Sequence, residues 1–244
     1  MEQFQEHESF GITDLARRTE LLPSDVHRIL TSLRAFGYIE QDPETKKYRL
    51  GFSLLRLGLT VFRRDHLLEK SHPVLVRLSQ KISAATHLAL LDGREMKVFL
   101  VDQAEGPNDS VPCDHLGVSE YLHCSALGKT IIANLSPDVA LPALKKSGLT
   151  KCTRHTITDL SILERQFEEI RRLGYAVDRE ECTNGVCCLA VPLRDHAGNV
   201  LGAISTSMPS SEFIAWDESR LGALLKAAAL NVSATLGASQ AASA

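Results

Sequence analysis

The sequence predicts an α+β protein of two domains, a helical domain with a small hairpin followed by a larger domain with a mostly antiparallel sheet. Two short helical patterns and a hairpin occupy residues 1–51. A helical segment at 52–72 links them to residues 73–238, where strand patterns joined by hairpin turns alternate with helical patterns. Strands joined by hairpins pair antiparallel, which gives the sheet its expected class. Residues 239–244 are rich in Ala and Ser and predict a frayed tail.

The composition is that of an ordinary globular protein. Of 244 residues, 44% are hydrophobic and 23% are charged, which is enough to bury a core. The polar, acidic stretch 1–9 does not resemble a signal peptide, and no apolar run reaches the roughly 18 residues of a membrane span. We therefore expect a cytoplasmic protein with no membrane partner. The net charge of −3 argues against a strongly basic nucleic-acid binder, so a DNA-binding function depends on local pattern.

Six cysteines raise the question of disulfide, metal or redox chemistry. Their spacing matches no disulfide framework, and without a secretion signal we expect them to be reduced. The adjacent pair Cys187 and Cys188 lacks the two-residue gap that is usual for zinc ligands. Small, buried apolar residues are the favoured interpretation, while metal binding, redox chemistry and ligand contact stay open. The cysteines are Cys113, Cys124, Cys152, Cys182, Cys187 and Cys188.

The first domain begins with two helical patterns separated by a short turn. Residues 12–19 predict a short helix that Thr13 can cap, and residues 20–23 predict the turn. Residues 24–36 predict a second helix, because their apolar side chains recur on one face. Gly37 ends this helix. The apolar face consists of Val26, Ile29, Leu30, Leu33 and Phe36.

A hairpin follows the second helix. Residues 38–41 and 47–50 predict strands around a turn at 42–46. Helix, turn, helix and hairpin in so short a segment are typical of a winged helix-turn-helix, which places its second helix in the major groove of DNA. The hairpin is the wing, and we expect it to touch the DNA backbone or the minor groove.

The remaining elements follow from periodicity and turn residues. Pro73 predicts a helix start, because proline favours the first helical turn. Asp92-Gly93 predicts a tight hairpin turn between two strands. Gly174 predicts a helix end, with Thr158 or Asp159 as the cap at the start of that helix. Helices are predicted at 52–62, 73–84, 125–135, 138–146, 160–173 and 217–236, and strands at 86–91, 97–101, 186–193 and 200–207.

Four groups of motifs carry the strongest signal of relationship. They are Ala16-Arg17-Arg18-Thr19-Glu20-Leu21 with Ser24-Asp25-Val26-His27-Arg28-Ile29-Leu30; Gly37-Tyr38-Ile39-Glu40 with Tyr48-Arg49-Leu50-Gly51; His123-Cys124-Ser125-Ala126-Leu127-Gly128-Lys129; and Gly174-Tyr175-Ala176-Val177-Asp178-Arg179-Glu180-Glu181 with Gly185, Cys188-Leu189-Ala190-Val191-Pro192-Leu193-Arg194-Asp195, Gly198 and Ala203-Ile204-Ser205-Thr206-Ser207. With these motifs the chain resembles the IclR family of transcriptional regulators. The resemblance implies an N-terminal winged helix-turn-helix, a linker helix, and a C-terminal effector-binding domain similar to GAF and PAS folds. It also implies a homodimer or a dimer-of-dimers tetramer.

Three features depart from the family pattern. The family's first helix is expected to be reduced to a stub before Ser9. Glu20 stands in the turn between the two helices, where a Gly is usual. Asp25 stands where the family usually has a Thr facing DNA, and its carboxylate repels phosphate but can accept from a cytosine amino group. These departures bear on the DNA sequence recognised more than on the fold.

The predicted DNA-reading residues lie at the exposed start of the second helix and on the wing. Arg28 can contact phosphate or guanine, and Ser24 can contact phosphate or cap the helix. Residues 28–56 hold six basic and three acidic side chains, an excess of +3 that suits a modest number of phosphate contacts with double-stranded operator DNA. A solvated helix face stays the alternative. The set is Ser24, Asp25, His27, Arg28, Lys46, Lys47 and Arg49.

The residues expected to form an effector pocket lie in the second domain. Backbone N–H groups at the helix start around Ala126 and Leu127 can bind an anion. Ser205 and Ser207 alternate on one face of a strand. In IclR-like proteins the matched positions line a site for small organic acids, so the resemblance implies a small carboxylate effector and no cofactor. The set is Ala126, Leu127, Asp178, Cys188, Ser205 and Ser207, and for each a purely structural role stays the alternative.

Three other functions stay open. One is an enzyme with His123 and Cys124 as base and nucleophile, which we do not expect, because adjacent residues of a strand face opposite ways and no other catalytic set is evident. Another is a metal- or redox-sensing regulator. The third is a regulator that has lost DNA binding. The metal or redox set would be Cys113, His115, His123, Cys124, Cys182 and Cys187.

Overall fold

The chain divides into two compact units, Met1–Asp65 and His66–Ala244. The structure, a computed structural model, describes residues 2–5, 7–65, 67–107 and 116–241. Among these residues, no helix is both long enough and apolar enough to cross a membrane.

The first unit has the predicted winged helix-turn-helix layout. Its elements are α1 (Ile12–Thr19), α2 (Pro23–Ala35), β1 (Ile39–Gln41), β2 (Tyr48–Leu50) and α3 (Phe52–Asp65). Strands β1 and β2 pair antiparallel, and Phe10 forms a bridge to Tyr48 beside them. The core consists of Phe4, Phe10, Leu15, Ala16, Val26, Leu30, Ile39 and Tyr48. Of the predicted apolar face of α2, Ile29 and Phe36 are exposed instead.

The helix starts of this unit differ from the predicted caps. Neither Thr13 nor Ser24 caps its helix, because each helix begins two residues earlier than such a cap requires. Pro23 occupies the first position of α2, where its missing N–H costs nothing and its fixed φ suits a helix. Glu20 ends α1 in a left-handed conformation with φ 57°. Glycine adopts that conformation most easily, which explains why one is usual there.

The second unit is an antiparallel sheet with helices on both faces, and this confirms the predicted α+β class. Its described strands are β3 (Ala85–Asp92), β4 (Lys97–Ala104), β5 (Ser119–Glu120), β6 (Ala176–Arg179), β7 (Val186–Arg194) and β8 (Val200–Pro209). They lie in the order β5-β4-β3-β8-β7-β6, and every neighbouring pair is antiparallel. The helices are α4 (Leu67–Ile82), α5 (Ala126–Ala133), α6 (Pro137–Ser147), α7 (Leu160–Leu173), α8 (Ser210–Phe213) and α9 (Glu218–Ala241).

Side-chain alternation along the strands assigns the two faces of the sheet to different helices. Leu88 and Ile204 belong to the core that includes α4 and α9. Ala89 and Ala203, each one position away, belong to the core that includes α5, α6 and α7. The side chains that face α5 at these positions are shorter, which leaves room for a cavity between this helix and the sheet.

Some boundaries of the second unit correct the prediction. Helix α4 begins at Leu67, so Pro73 lies inside it and does not open it, at the cost of one backbone hydrogen bond. The turn after Asp92 has four residues, with Met96 in the left-handed conformation, and is not a two-residue turn. Strands β5 and β6 and helix α8 are absent from the prediction, because segments of two to four residues carry too little periodicity.

The ends of the long helices agree better with their sequence signals. Asp159 caps α7 by accepting from the N–H of Ser161 at 2.8 Å, and Gly174 ends it with φ 72°, as predicted. Helix α9 continues to Ala241, beyond the point where a frayed tail is expected. Residues 242–244 of that expected tail lie outside the described residues.

Candidate functional site

A cavity of about 480 Å³ lies between the sheet and the start of α5. The residues that line it include all six expected from the sequence, which are Ala126, Leu127, Asp178, Cys188, Ser205 and Ser207. The rest of the lining is His87, Leu100, Val118, Ser119, Glu120, Tyr121, Ser125, Cys182, Thr183 and Val186. The fold therefore brings together residues from five separate stretches of the sequence.

Strand register explains why the side chains from the sheet meet. Asp178 on β6 is opposite Cys188 on β7, which is opposite Ser207 on β8. The next row on the same face holds Ser205 and, across on β3, His87. Alternation along one strand predicts that the two serines share a face. A local stretch of sequence does not tell which strands pair. Local pattern therefore does not place Asp178 and His87 on the face of these serines, whereas the strand pairing of the folded protein does.

The start of α5 presents backbone donors to the cavity. Ser125 caps the helix, since its Oγ accepts from the Gly128 N–H at 3.0 Å. Within the described part of the chain, no acceptor is hydrogen-bonded to the N–H of Ala126 or Leu127. A Cβ at Gly128 would lie 2.1 Å from the Tyr121 carbonyl oxygen, so only glycine allows this close approach. Free N–H groups at a helix start attract anions.

Asp178 is only 2% exposed and is held by the bend that follows its strand. Its Oδ1 accepts from the N–H groups of Glu181 at 2.7 Å and Cys182 at 3.4 Å. Burial raises the pKa of Asp178 to about 7, although Lys129 and these N–H groups favour the carboxylate. Near neutral pH this group therefore exchanges between a carboxylate and a neutral carboxyl that can donate its O–H.

The other polar groups contributed by the sheet are hydroxyls, a thiol and an imidazole. Cys188 Sγ lies 3.1 Å from Ser207 Oγ, and burial raises the pKa of Cys188 well above its usual value, so the thiol stays neutral. Ser205 Oγ lies 3.4 Å from Nδ1 of His87. The described lining contains no Lys or Arg. An anion in this cavity would be bound by neutral donors and by the N–H groups of α5.

A buried ion pair supports the cavity wall. Lys129 Nζ lies 2.5 Å from Glu181 Oε1 and donates to the Val177 carbonyl at 2.6 Å. The two charged side chains are 1% and 6% exposed. They also line a second cavity, of about 380 Å³, together with Arg179 and Glu218, which form their own ion pair. The Lys129–Glu181 pair joins α5 to the bend that holds Asp178. It therefore fixes the backbone N–H groups at the start of α5 and the carboxyl group of Asp178 relative to each other.

Sequence reasoning missed His87, Lys129 and Glu181 as parts of this site. Lys129 carried a usable signal, because it is the one charge in an eight-residue helix that is otherwise apolar or small and is buried throughout. A buried charge requires a partner of opposite sign nearby. No local pattern marks His87, whose place depends on the β3–β8 pairing.

The predicted DNA-reading residues of α2 lie in its first two turns. Ser24, His27 and Arg28 are exposed, and Asp25 is half-buried. The Asp25 carboxylate accepts from the Arg28 guanidinium at 3.2 Å, so an acid of the same helix partly neutralises the arginine. The pair is in contact with solvent and contributes little to stability, so exchange of the carboxylate for a DNA group costs little.

The predicted wing residues are also exposed. Lys46 and Lys47 lie at the turn of the β1–β2 hairpin, and within the described residues neither has an acidic partner. Arg49 forms an ion pair with Glu40 at 3.1 Å on the neighbouring strand. Contact of these side chains with DNA stays a prediction.

The described cysteines lie in three different environments. Cys124, Cys152 and Cys182 form a cluster in which Cys124 Sγ is 3.3 Å from Cys182 Sγ and 3.9 Å from Cys152 Sγ. Cys187 belongs to the core on the α4 and α9 face, and Cys188 lines the cavity. The interpretation as small buried residues therefore describes Cys187 well but leaves out the contacts among the first three.

The pair His123 and Cys124 lies in a turn before α5. The expectation that they face opposite ways along a strand is therefore wrong, because no strand is present at this place. Among the residues that the structure describes, no group of three or more His, Cys, Asp or Glu side chains is arranged to hold a metal ion. Cys113 and His115 of the expected metal or redox set lie outside the described residues.

Comparisons with known proteins cover nearly the whole chain. A family model for the C-terminal part of the bacterial transcriptional regulator IclR matches residues 59–234, and one for the IclR helix-turn-helix domain matches residues 1–43. The HTH-type transcriptional regulator BhcR of Paracoccus denitrificans is 33% identical over 213 residues, which is 87% of this chain and 75% of that protein. XynR of Escherichia coli is 33% identical over 226 residues, which is 93% of this chain and 89% of that protein. A crystal structure of an IclR transcriptional regulator from Alicyclobacillus acidocaldarius has a TM-score of 0.83 at 25% identity, covering 95% of this chain and 92% of that one.

Proposed function

Because the chain belongs to the IclR family of bacterial transcriptional regulators, we propose that its first unit binds operator DNA and that its second unit binds a small carboxylate effector. The observation that carries the effector proposal is the single cavity lined by all six residues expected from the sequence. The effector shifts DNA affinity only by the difference between its affinities for two states of the protein. The proposal includes no enzymatic activity and no bound cofactor, and it places the protein in the cytoplasm.

The chemistry of the cavity supports a small organic acid as the effector. The N–H groups of Ala126 and Leu127 and the hydroxyls of Ser205 and Ser207 can donate to a carboxylate without a charged partner. The volume of about 480 Å³ lies in the lower half of the range of roughly 300–1,000 Å³ for small-molecule sites. The walls also carry leucine and valine, which suits a short apolar body attached to the acid.

The first unit supports operator binding by a second helix and a wing. The exposed start of α2 offers Arg28 to base edges or phosphate, and Lys46 and Lys47 offer two further cations at the hairpin turn. So few basic side chains suit a modest number of phosphate contacts per subunit, which a second subunit would double.

We propose that the protein acts as a homodimer, or as a tetramer made of two dimers. Phe52, Leu55 and Leu59 of α3 are 71%, 54% and 48% exposed, and their spacing places them on one side of the helix. Exposed apolar stripes of this kind favour association with another helix. Two α2 helices in one dimer would read two half-sites about one turn of DNA apart.

A screen of small carboxylic acids by thermal shift, followed by gel-shift titration of the positive acids, tests the proposed function. An acid present at 100 times its dissociation constant is expected to stabilise the second unit by about 2.7 kcal/mol. The same acid is expected to change operator affinity. The effector proposal fails if no acid stabilises the protein, or if an acid that does so leaves both DNA affinity and footprint unchanged.

Carboxylate affinity is expected to fall about tenfold between pH 6 and pH 8. With the pKa of Asp178 raised to about 7, its neutral form can donate to the effector, while its carboxylate, formed as the pH rises, repels it. Calorimetric titration at several pH values with one acid measures the slope.

Asp178→Asn is the diagnostic variant for this slope. It keeps a neutral side chain of similar size at every pH, so the affinity should become nearly independent of pH. His87→Gln is the matched control, because it removes the imidazole of the cavity and keeps Asp178, so the slope should stay in place. A slope that disappears with His87→Gln and persists with Asp178→Asn would contradict the prediction, because it would assign the pH dependence to His87.

A further inference from the structure

Three thiols from distant parts of the sequence meet beside the cavity. Cys124 precedes α5, Cys152 lies before α7, and Cys182 lies in the bend between β6 and β7. The Sγ of Cys124 is 3.3 Å from that of Cys182 and 3.9 Å from that of Cys152. Cys182 also lines the cavity, whereas Cys124 is fully buried. The cavity thus leads a small molecule to one member of a close pair of sulfur atoms.

Cys124 is the thiol of the cluster that ionises first. A hydrogen bond with the Cys182 thiol, together with His123 and Cys152, lowers the pKa of Cys124 to about 5 against the opposing effect of burial. The same hydrogen bond raises the pKa of Cys182, and burial raises that of Cys152. At neutral pH the cluster therefore holds one thiolate beside two thiols, and the thiolate is the nucleophilic form of cysteine.

We propose that Cys124 and Cys182 form an oxidation site, at which hydrogen peroxide produces a reversible disulfide. In the first step peroxide enters through the cavity and passes Cys182 to reach the Cys124 thiolate, which attacks it; the O–O bond breaks, and sulfenic acid and hydroxide are formed. In the second step the Cys182 sulfur displaces the sulfenic oxygen, which leaves as water with the proton of the Cys182 thiol. The two sulfur atoms lose two electrons in total, and the peroxide gains them.

The geometry favours Cys182 over Cys152 as the second sulfur. The 3.3 Å separation must shorten to about 2.05 Å, and the Cys152 sulfur starts farther away. Cys182 lies in a bend outside the strands, and within the described residues its N–H is held by one long contact, 3.4 Å to Oδ1 of Asp178. It can approach Cys124 without breaking the pairing of β6 with β7.

The test treats the full chain with hydrogen peroxide, blocks the remaining thiols, and maps disulfides by mass spectrometry of its peptides. Cys113 is replaced by Ser, so that a cysteine outside the described residues does not complicate the map. The expected product is a peptide pair joined through Cys124 and Cys182, which disappears on reduction. Cys152→Ser and Cys187→Ser are the matched controls, because they remove a thiol of the cluster and a thiol of the core and should keep this product.

A rate measurement on the same protein adds a readout that does not depend on whether a variant folds. Loss of the Cys124 thiol to peroxide should change less than about twofold between pH 8 and pH 6, whereas an ordinary cysteine should slow by nearly a hundredfold over that range. The proposal is overturned if peroxide consumes thiols without joining Cys124 to Cys182. It is also overturned if the same pair forms as fast in protein unfolded by urea, or if the rate falls with pH as in an ordinary cysteine.

Discussion

Lys129→Met is expected to lower the free energy of unfolding of the second unit by about 3–5 kcal/mol. The change leaves the Glu181 carboxylate buried without its cation, and Oε2 of Glu181 already has no hydrogen-bond partner within the described residues. It also removes the hydrogen bond to the Val177 carbonyl. Urea denaturation followed by tryptophan fluorescence measures the effect on this unit alone, because the chain has one tryptophan, Trp216, which packs against the core of the second unit.

Two further variants separate the effect of the lost ion pair from that of the lost hydrogen bond to a carbonyl. Lys226→Met removes an amine that also donates to a carbonyl, that of Leu173 at 2.6 Å, and it should cost only about 1 kcal/mol. The double change Lys129→Met with Glu181→Gln removes both charges and should recover much of the loss. If the double variant is as unstable as Lys129→Met, the unpaired carboxylate is not the cause.

Arg28→Ala is expected to weaken operator binding by about 1–3 kcal/mol, or roughly 5- to 150-fold. The guanidinium is exposed in the second turn of α2, where a recognition helix contacts base edges. Its only ion pair within the described residues is with Asp25, and an exposed pair of this kind can exchange for a DNA group at small cost. Gel-shift titration on a sequence selected from a random DNA pool measures the change.

The matched control for this variant is Arg172→Ala. Arg172 also pairs with an acid three residues away, Glu169 at 3.5 Å, and is similarly exposed, but it lies in the second unit. Its loss should leave operator affinity unchanged. Arg28→Ala should also relax sequence preference if the side chain contacts a base, whereas a uniform loss on all sequences would assign it to phosphate. Unchanged binding would contradict the placement of α2 in the groove.

The sequence predicts an element accurately where the residues that determine the element lie within it or next to it. Helix α1 and helix α7 agree with their predicted ranges residue for residue, because apolar periodicity and the residues that end a helix lie within the segment itself. Pro73 is misleading, because packing of α4 against the sheet outweighs the preference of proline for a helix start.

The residues of the candidate site also differ in how far a local pattern predicts them. Alternation along the strand alone places Ser205 and Ser207 on one face. The cap residue Ser125 places Ala126 and Leu127 at the start of a helix. The position of Asp178 rests on family resemblance, because β6 is too short to be recognised. The contacts of Cys124 with its two partner cysteines join residues 28 and 58 positions apart, so no local pattern reports them.

The central pairing of the sheet, β3 with β8, governs when the second unit can fold. Thr206 Oγ1 donates to the Ala85 carbonyl at 2.8 Å across 121 residues of sequence. During synthesis the ribosome must therefore release nearly the whole unit before its middle strands can meet, and the β3–β4 hairpin meanwhile exposes an unpaired edge. Contacts so distant in sequence slow folding, so we expect the second unit to fold later and more slowly than the first and to depend more on chaperones in the growing cell.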